Sequence, residues 1–325
     1  MIKKEPIFPL TSGKGARPES CGAALVMVMV SLLALSVVVL DVSQRITRQS
    51  MEASLLLLEY NSALLADNAL DVGLDMLASM QDESSEQRTN NWDRTWQQGR
   101  LSIKISPCAS KLNLNLADLK EQQAERMENA LLNILTGVNL TADDISSLQY
   151  WSGVQDSDKR PPYFETIPQL YSSENKEYKA PRRALTRPEE LLLIPGFEDL
   201  DPGWIRRHFT VWGEQAGIDI NSADRGITLA LLPELEPYWD RLDSYRQKRN
   251  ITHPNELIKN AGLDIATYRT VLPYIIINPE VFEIIIEVRE GSWYEKHRYI
   301  VQRNIIDSAQ TPQVLVRDVL ERKPL

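Results

Sequence analysis

Five acidic residues are the best candidates for metal chemistry in this sequence. They form two groups, Asp156 with Asp158, and Glu198 with Asp199 and Asp201. Clustered carboxylates supply oxygen ligands, and calcium takes about six to eight of them. No EF-hand loop with its regular ligand spacing is present. The prediction is therefore calcium binding by these acids, with solvated loop acids as the alternative for either group.

Residues for other chemistry are scarce. The two cysteines and the three histidines match no common zinc-ligand spacing, and the nucleophile motif G-x-S-x-G and a phosphate-binding loop are absent. The net charge of −9, from 45 acids and 36 bases, has the wrong sign for a protein that depends on attraction to nucleic acid. We therefore predict no zinc, no catalytic residues, no enzyme activity and no nucleic-acid partner. The residues concerned are Cys21, Cys108, His208, His253 and His297.

The N-terminal region predicts a membrane helix. Cys21–Leu40 is a run of twenty residues without a charge, and at about 1.5 Å per residue it spans the roughly 30 Å hydrocarbon core. The run is longer than the apolar part of a secretory signal, and no small-x-small cleavage site follows it. The bases before it outnumber the acids, which favours a cytoplasmic N-terminus and a periplasmic remainder.

An apolar pattern continues beyond this run with an average period of 3.5 residues. No proline lies between residues 23 and 80, so an uninterrupted helix of more than fifty residues is predicted. Its outer half, residues 51 to 80, is predicted to pack on the protein's own head, with a free coiled coil as the alternative. The pattern consists of Met51, Leu55, Leu58, Ser62, Leu65, Ala69, Val72 and Met76.

A basic leader ending in Gly22, the charge-free run after it and the amphipathic continuation resemble the N-terminus of type IV pilins and of type II secretion pseudopilins. The resemblance implies cleavage between Gly22 and Ala23 by a prepilin peptidase and methylation of the new N-terminus. Cleavage would remove Cys21 and leave Cys108 alone. The protein would then sit in the bacterial inner membrane by a single span until it enters a fibre.

The fifth residue after the predicted cut is Met27, where most members of these families have a glutamate. That glutamate balances the terminal ammonium of a neighbouring subunit, because an unpaired charge in an apolar bundle costs on the order of several kcal/mol. Its absence and the length of 325 residues resemble the K-type minor pseudopilin, which lies at the fibre tip. The resemblance implies I-, J- and H-type minor pseudopilins as partners, with a secreted substrate or the outer-membrane secretin as further contacts.

Four later segments extend this resemblance. Lys111–Asn115 matches a lysine-x-asparagine-x-asparagine segment, and Ile218–Ala223 matches a return segment in which Asp219 replaces an asparagine. Tyr178–Pro181 with Glu190, Leu191 and Gly196 matches a third segment that lacks its asparagine, and Trp151–Asp158 matches a fourth loosely. Family members bind calcium in the helical domain, which the resemblance extends to this chain.

The predicted fold is α+β, with a long N-terminal pilin-like helix packed on an antiparallel sheet and a large, mainly α-helical domain inserted. Alternating strands are predicted at residues 99 to 106 and 281 to 304, with a further strand at Val314–Val316, and the resemblance implies that the early and late strands pair in one sheet. Helical spacing predicts a helix at residues 117 to 137, and Thr141–Asp144 predicts a capping box that opens the next helix. The predicted divisions are a leader at 1–22, a membrane or fibre-core helix at 23–40, a stalk helix and first strand at 41–112, the insert at 113–279 with an alternative end near 221, and closing strands at 280–325.

An internal repeat marks two short helix-turn units. Thr186, Pro188, Glu190 and Gly196 recur 66 residues later as Thr252, Pro254, Glu256 and Gly262. Threonine is predicted as the N-cap, proline in the first turn and glycine after the last turn. Ile194–Gly196 resembles half of a DNA-binding helix-hairpin-helix, but Glu198 replaces the second glycine, so structural packing is predicted.

The predicted function is a minor pseudopilin at the tip of the type II secretion pseudopilus, which starts assembly with other minor pseudopilins, limits growth above itself and supports protein export. The alternatives are a membrane-anchored periplasmic enzyme or sensor and a minor pilin of a type IV pilus.

Overall fold

The computed structural model describes residues 18–79, 90–96, 99–115, 119–153, 180–213, 216–303 and 311–325. The chain divides into two units, residues 1–60 and residues 61–325. The first unit holds the N-terminal part of one long helix. The second holds the rest of that helix, a five-stranded sheet and a group of short helices. The predicted α+β class is confirmed.

Helix α1 runs from Pro18 to Ser79 and is 62 residues long. Proline is tolerated in a first turn, where its missing N–H has no partner in any case. No other proline follows within the helix. The predicted uninterrupted helix of more than fifty residues is confirmed.

The main sheet has the strand order β1-β2-β7-β8-β9, and all its neighbours are antiparallel. The pairing of β2 with β7 sets Ile103 opposite Ile286 and Ile105 opposite Ile284, which confirms the predicted pairing of strands far apart in sequence. Strand β1 is an addition that the sequence did not predict, and β9 is longer than the predicted third strand. The strands are β1 (Asn90–Trp96), β2 (Gly99–Pro107), β7 (Val281–Glu290), β8 (Trp293–Gln302) and β9 (Gln313–Pro324).

Residues 62 to 77 of α1 pack on one face of this sheet, so the predicted packing of residues 51 to 80 holds for this part of the helix and not for residues 51 to 57. The buried line on the helix passes through Ser62, Ala66, Ala69, Gly73 and Leu77. Met51, Leu55 and Val72, which the sequence pattern placed in the seam, are 66%, 42% and 39% exposed, so those positions were wrong. A straight helix on a sheet keeps about 3.6 residues per turn, whereas the 3.5-residue period belongs to supercoiled helices. The opposite wall of this core consists of Ile103, Ile105, Phe282, Ile284, Ile286, Val288, Tyr299 and Val301.

Between β2 and β7, the described residues form seven α-helices. Thr141 opens α3 as the predicted capping box, because its backbone N–H and its hydroxyl donate to Asp144 at 2.7 and 2.9 Å. Helix α2 begins at Glu121 rather than near residue 117, and residues 116–118 lie outside the described residues. The helices are α2 (Glu121–Thr136), α3 (Ala142–Ser152), α4 (Pro202–His208), α5 (Arg225–Leu231), α6 (Trp239–Arg246), α7 (Asn255–Lys259) and α8 (Ile265–Val271).

These helices enclose a second hydrophobic core, which draws its residues from Leu112 to Ile277. Two short parallel pairs border it, β3 (Leu112–Asn113) with β4 (Phe209–Thr210), and β5 (Ile218–Asp219) with β6 (Ile275–Ile276). We call residues 112–277 the insert. The predicted domain boundaries, with the alternative end near residue 221, stay predictions.

The two repeat units share one capping interaction. In the first, the backbone N–H and hydroxyl of Thr186 both donate to Glu190 Oε1, the former at 3.0 Å. In the second, Thr252 donates in the same way to Glu256 Oε1 at 3.1 and 2.8 Å. The threonine therefore precedes the N-cap, which is Arg187 in one unit and Pro254 in the other. The predicted threonine N-cap was wrong, because a glutamate four residues later captures the hydroxyl.

The glycines that end both units have left-handed backbones, with φ of 92° at Gly196 and 77° at Gly262. Side chains other than hydrogen are strained in this region. A Cβ at Gly196 would also overlap Asp144, the residue that caps α3. The first repeat unit is thus locked against the start of α3.

Gly73 allows a close approach between α1 and the sheet, because a Cβ there would lie 3.3 Å from Ile284 Cγ2. We expect Gly73→Leu to lower the free energy of unfolding by about 1–3 kcal/mol through overpacking. The matched control is Asp71→Leu, which places the same side chain on an exposed position of the same helix. Chemical denaturation of the full chain in detergent measures both, and equal stability of the two variants would contradict this packing.

Glu256 makes the stability of the second repeat unit depend on pH in the acid range. Burial raises the pKa of this carboxyl, but hydrogen bonds from Tyr245, Thr252 and His253 outweigh burial and lower the pKa from 4.5 to about 2. A lowered folded-state pKa stabilises the fold above the unfolded value, and this contribution is lost as the pH falls through the folded value. Glu256→Gln should therefore flatten the pH dependence of unfolding between pH 4.5 and about 2. The control Glu236→Gln changes an exposed acid of the insert, and an identical profile in both variants would be the contrary result.

Candidate functional site

From Ala23 to Leu40, α1 exposes an almost entirely apolar surface. Between Leu25 and Leu57 every large apolar side chain is exposed, from 42% at Leu55 to 74% at Met27. Within the described residues this is the one helix long and apolar enough to span a membrane. Apolar surface of this extent is unfavourable in water at roughly 25 cal/mol per Å². The helix therefore requires lipid or other apolar helices around it.

The few polar groups in this segment are satisfied within the helix. The hydroxyls of Ser31 and Ser36 donate to the carbonyls of Met27 and Leu32, each at 2.8 Å. Such internal bonds allow serine to lie in hydrocarbon without an unpaired donor. The first ion pair, Asp41 with Arg45 at 2.9 Å, follows directly after the charge-free run. The segment is thus chemically uniform over the length of a bilayer core.

The predicted processing residues lie in the same helix. Gly22 and Ala23 are both within α1, and Ala23 and Met27 are exposed. The structure contains no peptidase, so cleavage between Gly22 and Ala23 stays a prediction.

The Lys111–Asn115 motif ties the insert to the sheet. Lys111 Nζ lies 2.6 Å from Glu283 Oε2 on β7, and both side chains are largely buried. Asn115 donates through Nδ2 to the carbonyls of Leu185 and Val211, each at 3.1 Å, and its Oδ1 accepts the backbone N–H of Leu185 at 2.8 Å. One amide side chain therefore holds three separate stretches of chain at the point where β2 gives way to the insert.

The Ile218–Ala223 segment also joins separate stretches of chain through an amide side chain, here within the insert. The side chain of Asn221 donates to the carbonyl of Ile251 at 3.0 Å and accepts the backbone N–H of Ile251 at 2.7 Å. Asp219 accepts from Asn221 N–H at 3.3 Å and from the Ser222 hydroxyl at 2.5 Å. The aspartate closes its own turn, as asparagine also does in such turns.

A buried arginine links the insert to the edge of the sheet. Arg298 on β8 is 2% exposed. Its Nη1 lies 2.8 Å from Glu189 Oε1 of the insert, and its Nη2 lies 2.7 Å from Asp318 Oδ2 of β9. Its guanidinium also lies 5.0 Å from the centre of the Trp212 ring. Arg187 of the insert joins the network through Asp318 at 2.7 Å. We call Arg298, Glu189, Asp318 and Arg187 the joint.

The electrostatics of the joint favour its charged state. Burial lowers the pKa of Arg298, but its hydrogen bonds to Glu189 and Asp318 outweigh burial and raise the pKa above its ordinary value. Burial likewise raises the pKa of Glu189, and the contacts with Arg298 outweigh this effect and lower the pKa below 4.5. The pair therefore stays ionised at neutral pH, with each charge depending on the other.

The sequence did not single out the joint. A charged residue in an alternating strand normally indicates a solvent-facing position. Arg298 is buried only because the insert covers that face of the sheet. The sequence also gave no sign of an exposed cleft between α2, α4 and α5, because its walls come from three separate helices.

The predicted calcium ligands are in part engaged elsewhere. Glu198 Oε2 accepts the backbone N–H of Gly196 at 2.8 Å, and Asp201 caps α4 by accepting the N–H of Trp204 at 2.6 Å. Among the described residues no group of three or more acids, histidines or cysteines could hold a metal ion. Glu198, Asp199 and Asp201 therefore do not form a calcium shell by themselves. Asp156 and Asp158 lie outside the described residues, so calcium binding stays a prediction.

The same hydrogen bond bears on the resemblance to a DNA-binding motif. The amide of Gly196, which would face a phosphate in such a motif, donates to the carboxylate of Glu198 instead. The expectations of no enzyme activity and no nucleic-acid partner stay predictions.

No family model and no curated protein matches this chain. Among the solved structures that share its fold is a chain from the crystal structure of the GspK-GspI-GspJ complex of the enterotoxigenic Escherichia coli Type 2 Secretion System. The similarity has a TM-score of 0.61 at 15% sequence identity, and it covers 85% of this chain and 99% of that chain. At this identity the similarity establishes the fold. The predicted α+β fold, with a long N-terminal pilin-like helix and an antiparallel sheet, is therefore confirmed.

Removal of Arg298 would leave the carboxylates of Glu189 and Asp318 without their shared cation in a buried setting. We expect Arg298→Met to lower the free energy of unfolding by about 3–5 kcal/mol. Arg317→Met is the matched control in the same sheet, because the Arg317 guanidinium forms an exposed pair with Asp67 at 3.3 Å and lies 5.8 Å from the centre of the Tyr299 ring. An exposed pair of this kind is worth at most about 1 kcal/mol. Thermal unfolding of the full chain measures both, and similar losses in the two variants would exclude a special role for the joint.

Proposed function

We propose that this protein is a minor pseudopilin of a type II secretion system and forms the tip of the pseudopilus. The observation that carries the proposal is the shared fold, which extends over 99% of a chain from the GspK-GspI-GspJ complex. The exposed apolar surface of Leu25–Leu57 supports it, because a fibre subunit needs such a helix both in the membrane and in the fibre.

The proposed mechanism has no chemical step. The segment from Ala23 onwards leaves the lipid of the inner membrane and enters a bundle with the corresponding helices of other subunits. Lipid and neighbouring helices are about equally apolar, so the transfer exchanges one apolar environment for another and is driven by packing. The periplasmic part of the chain, with its sheet and insert, remains outside the bundle.

The tip position rests on Met27. A subunit at the tip has no neighbour above it whose terminal ammonium needs a partner, so an apolar residue is acceptable there. Below the tip, the unpaired ammonium of the next subunit would lie in a low-dielectric bundle at a cost on the order of several kcal/mol. The insert, with its own core, adds bulk that limits further addition above.

The proposed partners follow from the same similarity. The solved complex combines GspK with GspI and GspJ, and we assign this chain the K-type place beside I- and J-type minor pseudopilins, with the H-type subunit next in the fibre. A secreted substrate or the outer-membrane secretin would contact the upper face. Before assembly the protein would be held in the inner membrane by α1, with its larger unit in the periplasm.

Processing at the N-terminus is the decisive test. In cells with the prepilin peptidase, mass spectrometry of the N-terminus should show a chain that starts at methylated Ala23, and in cells without the peptidase residues 1–22 should remain. Gly22→Val should abolish cleavage, whereas Gly15→Val, a matched change within the leader, should leave it intact. An uncut chain in peptidase-positive cells would contradict the proposal and favour a membrane-anchored enzyme or sensor.

The proteins that assemble with this chain distinguish the proposed pseudopilin from the remaining alternative, a minor pilin of a type IV pilus. The processed protein should copurify with I- and J-type pseudopilins of the secretion system after crosslinking in cells. Copurification with the subunits of a type IV pilus instead would assign it to that pilus as a minor pilin. Calcium binding by the insert is tested separately, by calorimetric titration of the full chain with calcium and of an Asp156→Asn, Asp158→Asn variant.

A further inference from the structure

Two arginines follow closely after the charge-free run of α1. Arg45 and Arg48 are the only bases between residues 41 and 79, whereas six acids occur in the same stretch, five of them from residue 52 onwards. Both arginines are exposed. The positive charge of this part of the helix is therefore concentrated within eight residues of Leu40, the last residue of the run.

Helix geometry gives the level of these arginines relative to a bilayer. At about 1.5 Å of rise per residue, Arg45 and Arg48 lie about 7.5 and 12 Å beyond Leu40. The headgroups add about 5–7 Å on each side of the hydrocarbon core. The Cα–Cβ bonds of a helix tilt towards its N-terminus, which after the run is the direction of the hydrocarbon. Long basic side chains at these positions therefore extend back into the headgroup layer.

The side chain of Arg45 has this direction in the structure. Its Nε lies 2.9 Å from Asp41 Oδ2, one helical turn closer to the apolar run. A guanidinium has five N–H donors, so an ion pair through Nε leaves the two Nη groups able to bind a further acceptor. Asp41 is the only acid between residues 41 and 51. Its negative charge is balanced by Arg45, so the acid does not cancel the charge of Arg48.

Arg48 lies on the same face of α1, because positions 41, 45 and 48 are separated by four and then three residues. Among the described residues, Arg48 has no ion-pair partner. The acid one turn further along the helix, Glu52, lies on the side away from the apolar run. Residues 41–51 therefore keep one net positive charge, and Arg48 carries it.

The position of this surface selects its occupant. When the charge-free run spans a membrane, the groups beside residues 41–48 are phospholipid headgroups, because the hydrocarbon ends near Leu40. Each of these headgroups contains a negatively charged phosphate. Arginine suits a phosphate because its planar guanidinium can form two parallel charge-assisted hydrogen bonds to the phosphate oxygens.

We propose that Arg45 and Arg48 bind the headgroup phosphates of membrane phospholipids at the point where α1 leaves the bilayer. This inference rests on the proposed anchoring of α1 in a membrane, and it adds the chemical class of the ligand. The phosphate contacts break when the segment from Ala23 onwards leaves the lipid. They therefore favour the membrane-bound state of the unassembled subunit.

Native mass spectrometry of the full chain in detergent tests the proposal. The probes are dioleoyl phosphatidylglycerol and a galactosyl diacylglycerol with the same acyl chains, which has no phosphate. We expect the double variant Arg45→Gln, Arg48→Gln to bind phosphatidylglycerol about tenfold more weakly than the unaltered chain, with unchanged binding of the galactolipid. Unchanged binding of phosphatidylglycerol by this variant, or an equal loss of both lipids, would overturn the proposal.

Two further double variants separate the role of these positions from a general effect of charge. Arg225→Gln, Arg269→Gln removes two exposed arginines of the insert and should leave the binding of both lipids unchanged. Arg45→Lys, Arg48→Lys keeps both charges and should bind phosphatidylglycerol more tightly than the glutamine variant. A loss in the insert control as large as that in the glutamine variant would show non-specific attraction and would count against the proposal. Near-native circular dichroism of each variant excludes unfolding as the cause of a loss.

Inorganic phosphate distinguishes a lipid site from a site for the free ion. At the same concentration as the lipid it should displace no phosphatidylglycerol, because it has no acyl chains to hold it beside the apolar run. Complete displacement would assign the site to the free ion and overturn the proposal.

Flotation with phospholipid vesicles tests the underlying membrane anchoring separately. The unaltered chain and all three double variants should float, because Ala23–Leu40 is intact in each. An unaltered chain that does not float would contradict the anchoring itself. A chain that floats but shows no loss of phosphatidylglycerol binding in the glutamine variant would contradict this inference and leave the proposed function standing.

Discussion

The pairing of β2 with β7 is the constraint on which the rest of the structure depends. It joins Ile103 to Ile286 across 183 positions of sequence, and the α1-facing side of this pair forms the surface on which the helix lies. Closing so long a loop costs only slightly more entropy than closing a short one, because the cost grows with the logarithm of length. The intervening chain also forms its own core, from Leu112 to Ile277. The sheet can therefore be interrupted by a folded insert and still close.

Helix α1 meets two different physical requirements along its length. From Leu25 to Leu57 its apolar side chains are exposed, and its serines satisfy their own hydroxyls. In the unit of residues 61–325, small residues such as Ala66, Ala69 and Gly73 let the helix approach the sheet closely. The composition of α1 therefore changes with its surroundings. Large aliphatic residues occur where apolar lipid or helices are needed, and small residues occur where the sheet lies directly beneath the helix.

Local patterns predicted the local structure well. The alternation at residues 99 to 106, the Thr141–Asp144 capping box and the absence of proline in α1 each determine an element through neighbours a few residues away. The repeat units were found for the same reason, although Thr186 lies one residue and Thr252 two residues before the observed N-cap. Strand β1, Asn90–Trp96, was missed because its polar sequence has no alternation, and it forms by pairing with β2.

The joint and the cleft were not predictable from these patterns. Arg298 depends on Glu189 and Asp318, which lie 109 and 20 positions away, and no local periodicity encodes those contacts. The cleft depends on how α2, α4 and α5 meet. By contrast, the asparagines of Lys111–Asn115 were identified by resemblance alone, and the structure supplies the physical reason: each holds backbone from a different part of the chain. The substitution at Asp219 preserves its turn, because the carboxylate accepts the same kind of hydrogen bonds.

The joint also has a mechanical consequence. Arg298 is held on one side by the insert and on the other by the edge strand, in a setting from which water is largely excluded. Hydrogen bonds between ionised groups are directional, so they resist rotation more strongly than apolar contacts, which can slide. A torque applied to the insert is therefore passed to the β-sheet through the guanidinium groups of Arg298 and Arg187 before the apolar surfaces between them can shear.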